Sequence, residues 1–179
     1  LQQLASTDAL TGLGNRRRFD EVLARECQRA TRTDKPLSLL ILDADHFKGF
    51  NDRYGHQQGD AALQLIAQAM HGTIHASSDT AYRIGGEEFS VILPDTDEPG
   101  AEAVANRIRQ VVLAQAMPHA GNPHGLVTVS CGVASIPSIR DSDPVALIAA
   151  ADAALYEAKR RGRNQVRTST SAGRHVFVI

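Results

Sequence analysis

The sequence predicts an α+β fold: a mixed central β-sheet flanked by helices, in a ferredoxin-like sandwich. Three observations carry this expectation. Strand-like and helix-like segments alternate along the 179 residues. Two of the strand-like segments, "TAYRI" and "FSVIL", flank Gly85-Gly86 and read as a hairpin, so the sheet is not purely parallel. No repeat or low-complexity linker interrupts the chain, and its length suits one domain able to bury a core.

The elements follow in order. After a Thr11-Gly12 turn, Phe19, Val22, Leu23 and Cys27 fall at helical spacing. "PLSLLILDAD" is a continuous apolar run bounded by Pro36 and Asp43, as expected of a buried strand. A short helical piece, "HFKGFNDRY", leads to a turn at Gly55. "GDAALQLIAQAMHGTI" reads as an amphipathic helix with Asp60 as its N-cap. The hairpin comes next, then the helix "EPGAEAVANRIRQVVLAQA" and the alternating strand "LVTVSCGVASI". The last long helix is framed by Asp143 as N-cap, Pro144 at the first helical position and Gly162 past the end. "RNQVR" is expected as a short edge strand, and residues 168–179 as a C-terminal tail.

The formal net charge of −1 predicts no general affinity for nucleic acid or an anionic membrane, so any phosphate binding must be local. Cys27 and Cys131 lack metal or redox spacing and are expected as reduced thiols. No apolar run reaches the ~18 residues a membrane span needs. The start, "LQQLASTDALTGL", reads as a domain entered through the end of a helix, with an upstream sensory or regulatory region expected before it. Direct membrane insertion of the domain is not expected; a cytoplasmic location, with tethering through a preceding region, is.

The strand "LSLLIL" ends abruptly at Asp43-Ala44-Asp45. Asp43, at the strand's mouth, is a candidate metal ligand or a simple strand-end carboxylate; Asp45 fits a cap for the following helical piece. Glu87 and Glu88 stand beside Gly85-Gly86, where Asn-Gly or Asp-Gly would make a tighter hairpin. Two glycines suit a place that another molecule approaches closely. If the hairpin pairs beside the Asp43 strand, Glu87 and Asp43 meet, and such oxygen ligands suit Mg²⁺. Two such ions can clamp the attacking and leaving oxygens of a phosphoryl displacement. The pattern resembles a polymerase-palm or cyclase site.

Four segments together resemble the signatures of the GGDEF family, the diguanylate cyclases: "DALTGLGNRR", "DADHFKGFNDRYGHQQGD", "RIGGEEF" and "ADAALYEAKRRGRNQV". "SCGVAS" is similar to that family's last central strand. The likeness covers residues 5–167, and the domain is expected over 1–167. It implies condensation of two GTP to cyclic di-GMP and two pyrophosphates, in an antiparallel homodimer in which each 3′-hydroxyl attacks the other nucleotide's α-phosphate. It implies Asp43, the carbonyl of Ala44, and Glu87 on Mg²⁺, with Mn²⁺ able to substitute. Glu87 would also serve as base, with Glu88 as a further acidic helper. Asn51 and Asp60 match the guanine readers, since a carboxylate can accept both donors on guanine's Watson–Crick edge. His56 would touch the nucleotide, and Gly85 and Gly86 would let its phosphates lie against the turn. Lys48, Lys159 and Arg163 match the phosphate contacts, with Lys48 at the reacting phosphates; on spacing alone, Lys159 is equally a helix C-terminal lysine.

Many family members carry an RxxD product-inhibition site. Here the window is "ASSD", with Ala76 at the arginine position and Asp79 retained, so inhibition through this surface is expected to be weak or absent. Arg107 matches only a supporting arginine. The histidines outside the nucleotide motif show no ligand spacing. Three other readings stand beside the cyclase reading: a catalytically silent module that binds GTP or cyclic di-GMP, a cyclase with relaxed base choice, which Asp60 argues against, and a ferredoxin-like interaction domain without a nucleotide, which the four motifs argue against.

Overall fold

The computed structural model describes residues 5–74, 77–136 and 143–173. Its elements are α1 (Arg16–Thr33), β1 (Leu37–Ala44), α2 (Phe47–Tyr54), α3 (His56–Thr73), β2 (Thr80–Arg83), β3 (Glu88–Pro94), α4 (Glu98–Ala114), β4 (Val129–Ile136), α5 (Pro144–Arg160), β5 (Val166–Thr168) and α6 (Ser169–Gly173). The five-stranded sheet has the order β2-β3-β1-β4-β5. The first four strands pair antiparallel, and β5 adds in parallel to β4 at the edge. The predicted mixed α+β sandwich is therefore present, and among the described strands the parallel pair is β4–β5.

β1 lies at the centre, and every residue in it is buried. Its apolar side chains divide by parity, as the pleat requires. Leu40, Leu42 and Ala44 join a core built with α3 and α4, through Leu63, Ile66, Ala105 and Ile108. Leu39 and Ile41 join a second core built with α1 and α5, through Phe19, Leu23, Leu147 and Leu155. The same parity carries Asp43 to the α5 side. Its cross-strand neighbours are Glu88 on β3 and Ser130 on β4. Cys27 and Cys131 are free and buried.

Two expected caps are corrected. Asp60 does not cap its helix. Gly55, with φ 87°, closes α2 by donating to the Asn51 carbonyl and opens α3 by accepting from Gly59. This left-handed hinge, which glycine adopts without penalty, lets α3 begin at His56 and leaves Asp60 exposed inside the helix. Asp45 does not cap α2 either. His46, with φ 54°, occupies that position and makes no side-chain cap bond. Asp143 does cap α5, accepting from the Ala146 N–H at 2.7 Å, and Gly162 follows that helix with φ 113°.

Past residue 167, β5 ends at Thr168 and α6 follows; Ala76, His75 and residues 174–179 lie outside the described residues. Among the described residues, no helix is long and apolar enough to cross a membrane.

Candidate active site

At the mouth of β1, a cavity of about 300 Å³ is lined by Asp43, Ala44, Phe47, Lys48, Glu87, Lys159 and Arg163, among others. Four elements converge to build it, α2 contributing Phe47 and Lys48. β1 supplies Asp43 and Ala44, the β2–β3 turn supplies Glu87, the C-terminal end of α5 supplies Lys159, and the turn that follows α5 supplies Arg163. The turn is tied to β1 by the Ala44 N–H, which donates to the Glu87 carbonyl at 3.2 Å. It is tied to the N-terminal segment by Arg83, which donates to the Gly86 carbonyl at 2.7 and 3.1 Å and pairs with Asp8 at 3.2 Å.

The site is electrostatically crowded. Asp43 is 8% exposed and ion-paired with Lys159. Burial raises the Glu87 carboxyl pKa from 4.5 to about 7, with the adjacent Asp43 carboxylate adding to the rise. Glu88 is also raised, first by burial and then by Asp152 and Asp43. Two carboxylates that resist ionising together are a donor set that a cation relieves. The oxygens fit a hard divalent ion that keeps several waters. Among the described residues no cluster of three or more His, Cys, Asp or Glu side chains is arranged to hold a metal. The oxygens at the mouth of β1 that could hold such an ion are those of Asp43 and Glu87 and the Ala44 carbonyl. Glu88 does not line this cavity; its charge neighbours include Asp152 and Arg16.

Gly85 and Gly86 both have negative φ, so backbone conformation does not demand glycine at either position. A β-carbon on Gly86 would meet nothing within 4 Å; one on Gly85 would meet only Glu88, at 3.3 Å. At Gly85 the missing β-carbon relieves crowding against Glu88, and at Gly86 the turn faces open space.

Asn51, His56 and Asp60 lie on α2 and α3, next to the cavity's α2 wall but outside its lining. His56 and Asp60 are exposed. Asn51 is half-buried, and its Oδ1 is sealed against α3 without a hydrogen-bond partner. The space for it exists because residue 59 is glycine: a β-carbon there would sit 1.8 Å from Asn51 Oδ1. Phe50 is core, and Phe47 stacks parallel to it at 6.4 Å as pocket wall. Lys48 is exposed at the rim. Asp79 sits half-buried with its pKa raised by burial, and Arg107 is exposed on α4.

Several residues that sequence reasoning missed hold this arrangement. His119 is fully buried and its Nε2 lies 3.1 Å from the His46 carbonyl, pinning the left-handed residue that starts α2. Gly132 lets α5 approach β4 so closely that a β-carbon would fall 2.1 Å from the Ala151 carbonyl and 2.4 Å from the Leu155 nitrogen. Gly59 and Gly132 did carry a signal: glycine inside a helix or strand is costly unless another group needs the space. His119 carried none, since its partner is 73 residues away in sequence.

The family model described as "Diguanylate cyclase, GGDEF domain" matches residues 5–165. Diguanylate cyclase DosC of Shigella sonnei (strain Ss046) is 42% identical over 159 residues, covering 89% of this chain and 34% of that protein. Response regulator PleD of Caulobacter vibrioides (strain NA1000 / CB15N) is 42% identical over 165 residues, covering 92% of this chain and 36% of that protein. The chain thus spans about a third of the length of these curated relatives. Among solved structures, the GGDEF domain of DgcB from Caulobacter crescentus, in complex with c-di-GMP, superposes with a TM-score of 0.84 at 37% identity, covering 96% of this chain and 97% of that one. The active GGEEF domain of a diguanylate cyclase from Vibrio cholerae gives 0.77 at 33% identity, covering 88% and 97%. The fold, the strand-mouth carboxylates and these likenesses agree: the chain belongs to the GGDEF family of diguanylate cyclase domains.

Proposed function

We propose that the domain condenses two GTP molecules into cyclic di-GMP and releases two pyrophosphates, each of two antiparallel subunits presenting one nucleotide to the other. The observation that carries this reading is the cavity at the mouth of β1, whose lining brings the carboxylates of Asp43, Asp45 and Glu87 together with the cationic side chains of Lys48, Lys159 and Arg163. Carboxylates alone would suit a cation, and cations alone an anion. Both together suit a metal–triphosphate, whose charge each half partly neutralises.

Asp43, Glu87 and the Ala44 carbonyl would hold Mg²⁺, or Mn²⁺ in its place, which when bound supplies charge neutralisation at the reacting phosphates. Lys48, Lys159 and Arg163 bind the triphosphate and offset the negative charge that grows in the transition state. Each 3′-oxygen forms a bond to the partner nucleotide's α-phosphorus. The bond from that phosphorus to the pyrophosphate oxygen breaks, and pyrophosphate leaves. The 3′-hydroxyl proton passes to Glu87 as base, the one carboxylate that the β2–β3 turn brings into the cavity. Glu88 supports the acidic side of the site from the neighbouring β3 position. Asn51 and Asp60 read guanine from α2 and α3, His56 borders the base, and Gly85-Gly86 gives the phosphates access to the turn. The relatives are about three times longer than this chain, which supports an upstream sensory or regulatory region acting on dimerisation. The test is conversion of GTP to cyclic di-GMP by the purified domain with Mg²⁺, beside Glu87→Ala.

A further inference from the structure

We propose that Asp45 is a positioning residue for the phosphate-binding edge of the site, holding in place the left-handed turn that carries Arg163. The proposal rests on the reading of Arg163 as a phosphate contact. Gly162, Arg163 and Asn164 have φ of 113°, 62° and 45° in succession. Residues with a β-carbon avoid this region, so a run of it persists only where surrounding contacts over-determine it.

Those contacts are present. The Arg163 N–H donates to the Ala158 carbonyl at 3.0 Å, and Arg109 donates to Asn164 Oδ1 at 3.1 Å. His124 Nε2 lies 3.2 Å from the Gly162 carbonyl, and Gln165 donates to the Arg163 carbonyl at 3.1 Å. The Asn164 N–H donates to Asp45 Oδ2 at 3.1 Å, and this bond ties the turn to the mouth of β1.

Asp45 is 3% exposed, and its other partners are also neutral donors: Thr128 Oγ1 at 2.8 Å and Ser130 Oγ at 2.7 Å. The Thr128 hydroxyl accepts from Asn122 Nδ2 at 2.9 Å, which aims its proton at Asp45. No lysine or arginine pairs with this carboxylate among the described residues. Both oxygens accept hydrogen bonds from the protein, Oδ2 from Thr128 and Asn164 and Oδ1 from Ser130. Two residues after Asp43, this group joins β1, β4 and the 162–164 turn at one point. Both Arg163 and His46 line the cavity, and the Arg163 charge, after burial, helps lower the His46 pKa.

The test measures affinity for a GTP analogue with a methylene bridge between the α- and β-phosphates, by isothermal titration with Mg²⁺. The proteins are the parent domain, Asp45→Ala, Asp45→Asn, Arg163→Ala and the Asp45→Ala/Arg163→Ala double variant. Asp45→Ala and Arg163→Ala should each weaken binding roughly tenfold, and the double variant should be no weaker than Arg163→Ala. Asp45→Asn should stay near the parent, because its amide oxygen still accepts from Asn164 while its NH₂ donates to a reversed Ser130 hydroxyl. Additive losses, or an unchanged Asp45→Ala beside a weakened Arg163→Ala, overturn the positioning role. An unchanged Arg163→Ala removes the phosphate reading of Arg163 and the proposal with it. If Asp45→Ala does not fold, hydrogen exchange decides: the Asn164 amide of the parent should be protected, and exchange at the rate of a free amide refutes the tie.

Discussion

At the mouth of β1, the Glu87 carboxyl holds its proton to about pH 7, well above its ordinary 4.5, because it is buried and faces Asp43. The sign of the consequence follows from linkage. Between pH 4.5 and 7 the folded state binds more protons at this group than the unfolded chain, so stability is full below 4.5 and falls as pH rises through 7. In EDTA, Glu87→Gln should match the parent's melting temperature near pH 4.5 and exceed it at pH 8. Equal melting at both pH values would contradict the crowding of Glu87 and Asp43. Excess Mg²⁺ should raise the parent's melting temperature at pH 8 and leave Glu87→Gln little changed. Gly59→Ala tests the base-reading side. Helix propensity alone favours alanine by about 1 kcal/mol, but the β-carbon would overlap Asn51 Oδ1. The nucleotide affinity should fall severalfold without loss of fold; unchanged titration would mean that Asn51 does not read the base from this position. Asp43 and Glu87 were legible in the sequence because a buried strand ending in a carboxylate and a Gly-Gly hairpin are local signals. The caps at Asp45 and Asp60 were misread because the breaks between helices are set by left-handed His46 and Gly55, and Asp45 instead serves partners more than 80 residues away.

Between elements, the spacing of α5 and β4 decides where Lys159 falls. α5 rests on Gly132 backbone to backbone, and three atoms of Ala151 and Leu155 lie within 3.0 Å of where a β-carbon would stand. Backbone cannot yield as a flexible side chain can, so Gly132→Ala forces the helix outward. Overpacking of this kind costs about 1–3 kcal/mol. The urea midpoint should fall accordingly, and GTP affinity should fall with it as Lys159 leaves Asp43. An unchanged midpoint would contradict the close packing. The order of the elements was readable from periodicity and turn chemistry, and the hairpin correctly ruled out an all-parallel sheet. The layer assignment, with α1 and α5 on one face and α3 and α4 on the other, was not, since continuous apolar runs such as "LSLLIL" show no preferred face.

For the whole molecule, the geometry that bears on the proposal is the cavity at the mouth of β1, where acidic and cationic side chains meet. The proposed condensation joins two nucleotides, so on that reading two such cavities must meet, and dimer encounter should limit the isolated domain. The measurement that tests this most directly is product formation from GTP and Mg²⁺ at a series of protein concentrations, with Glu87→Ala as control. Cyclic di-GMP that rises more steeply than linearly with protein, and vanishes in the control, is the predicted result. No cyclic di-GMP at any concentration, even with the domain joined to a dimerising coiled coil, would contradict the cyclase reading and leave a nucleotide-binding module.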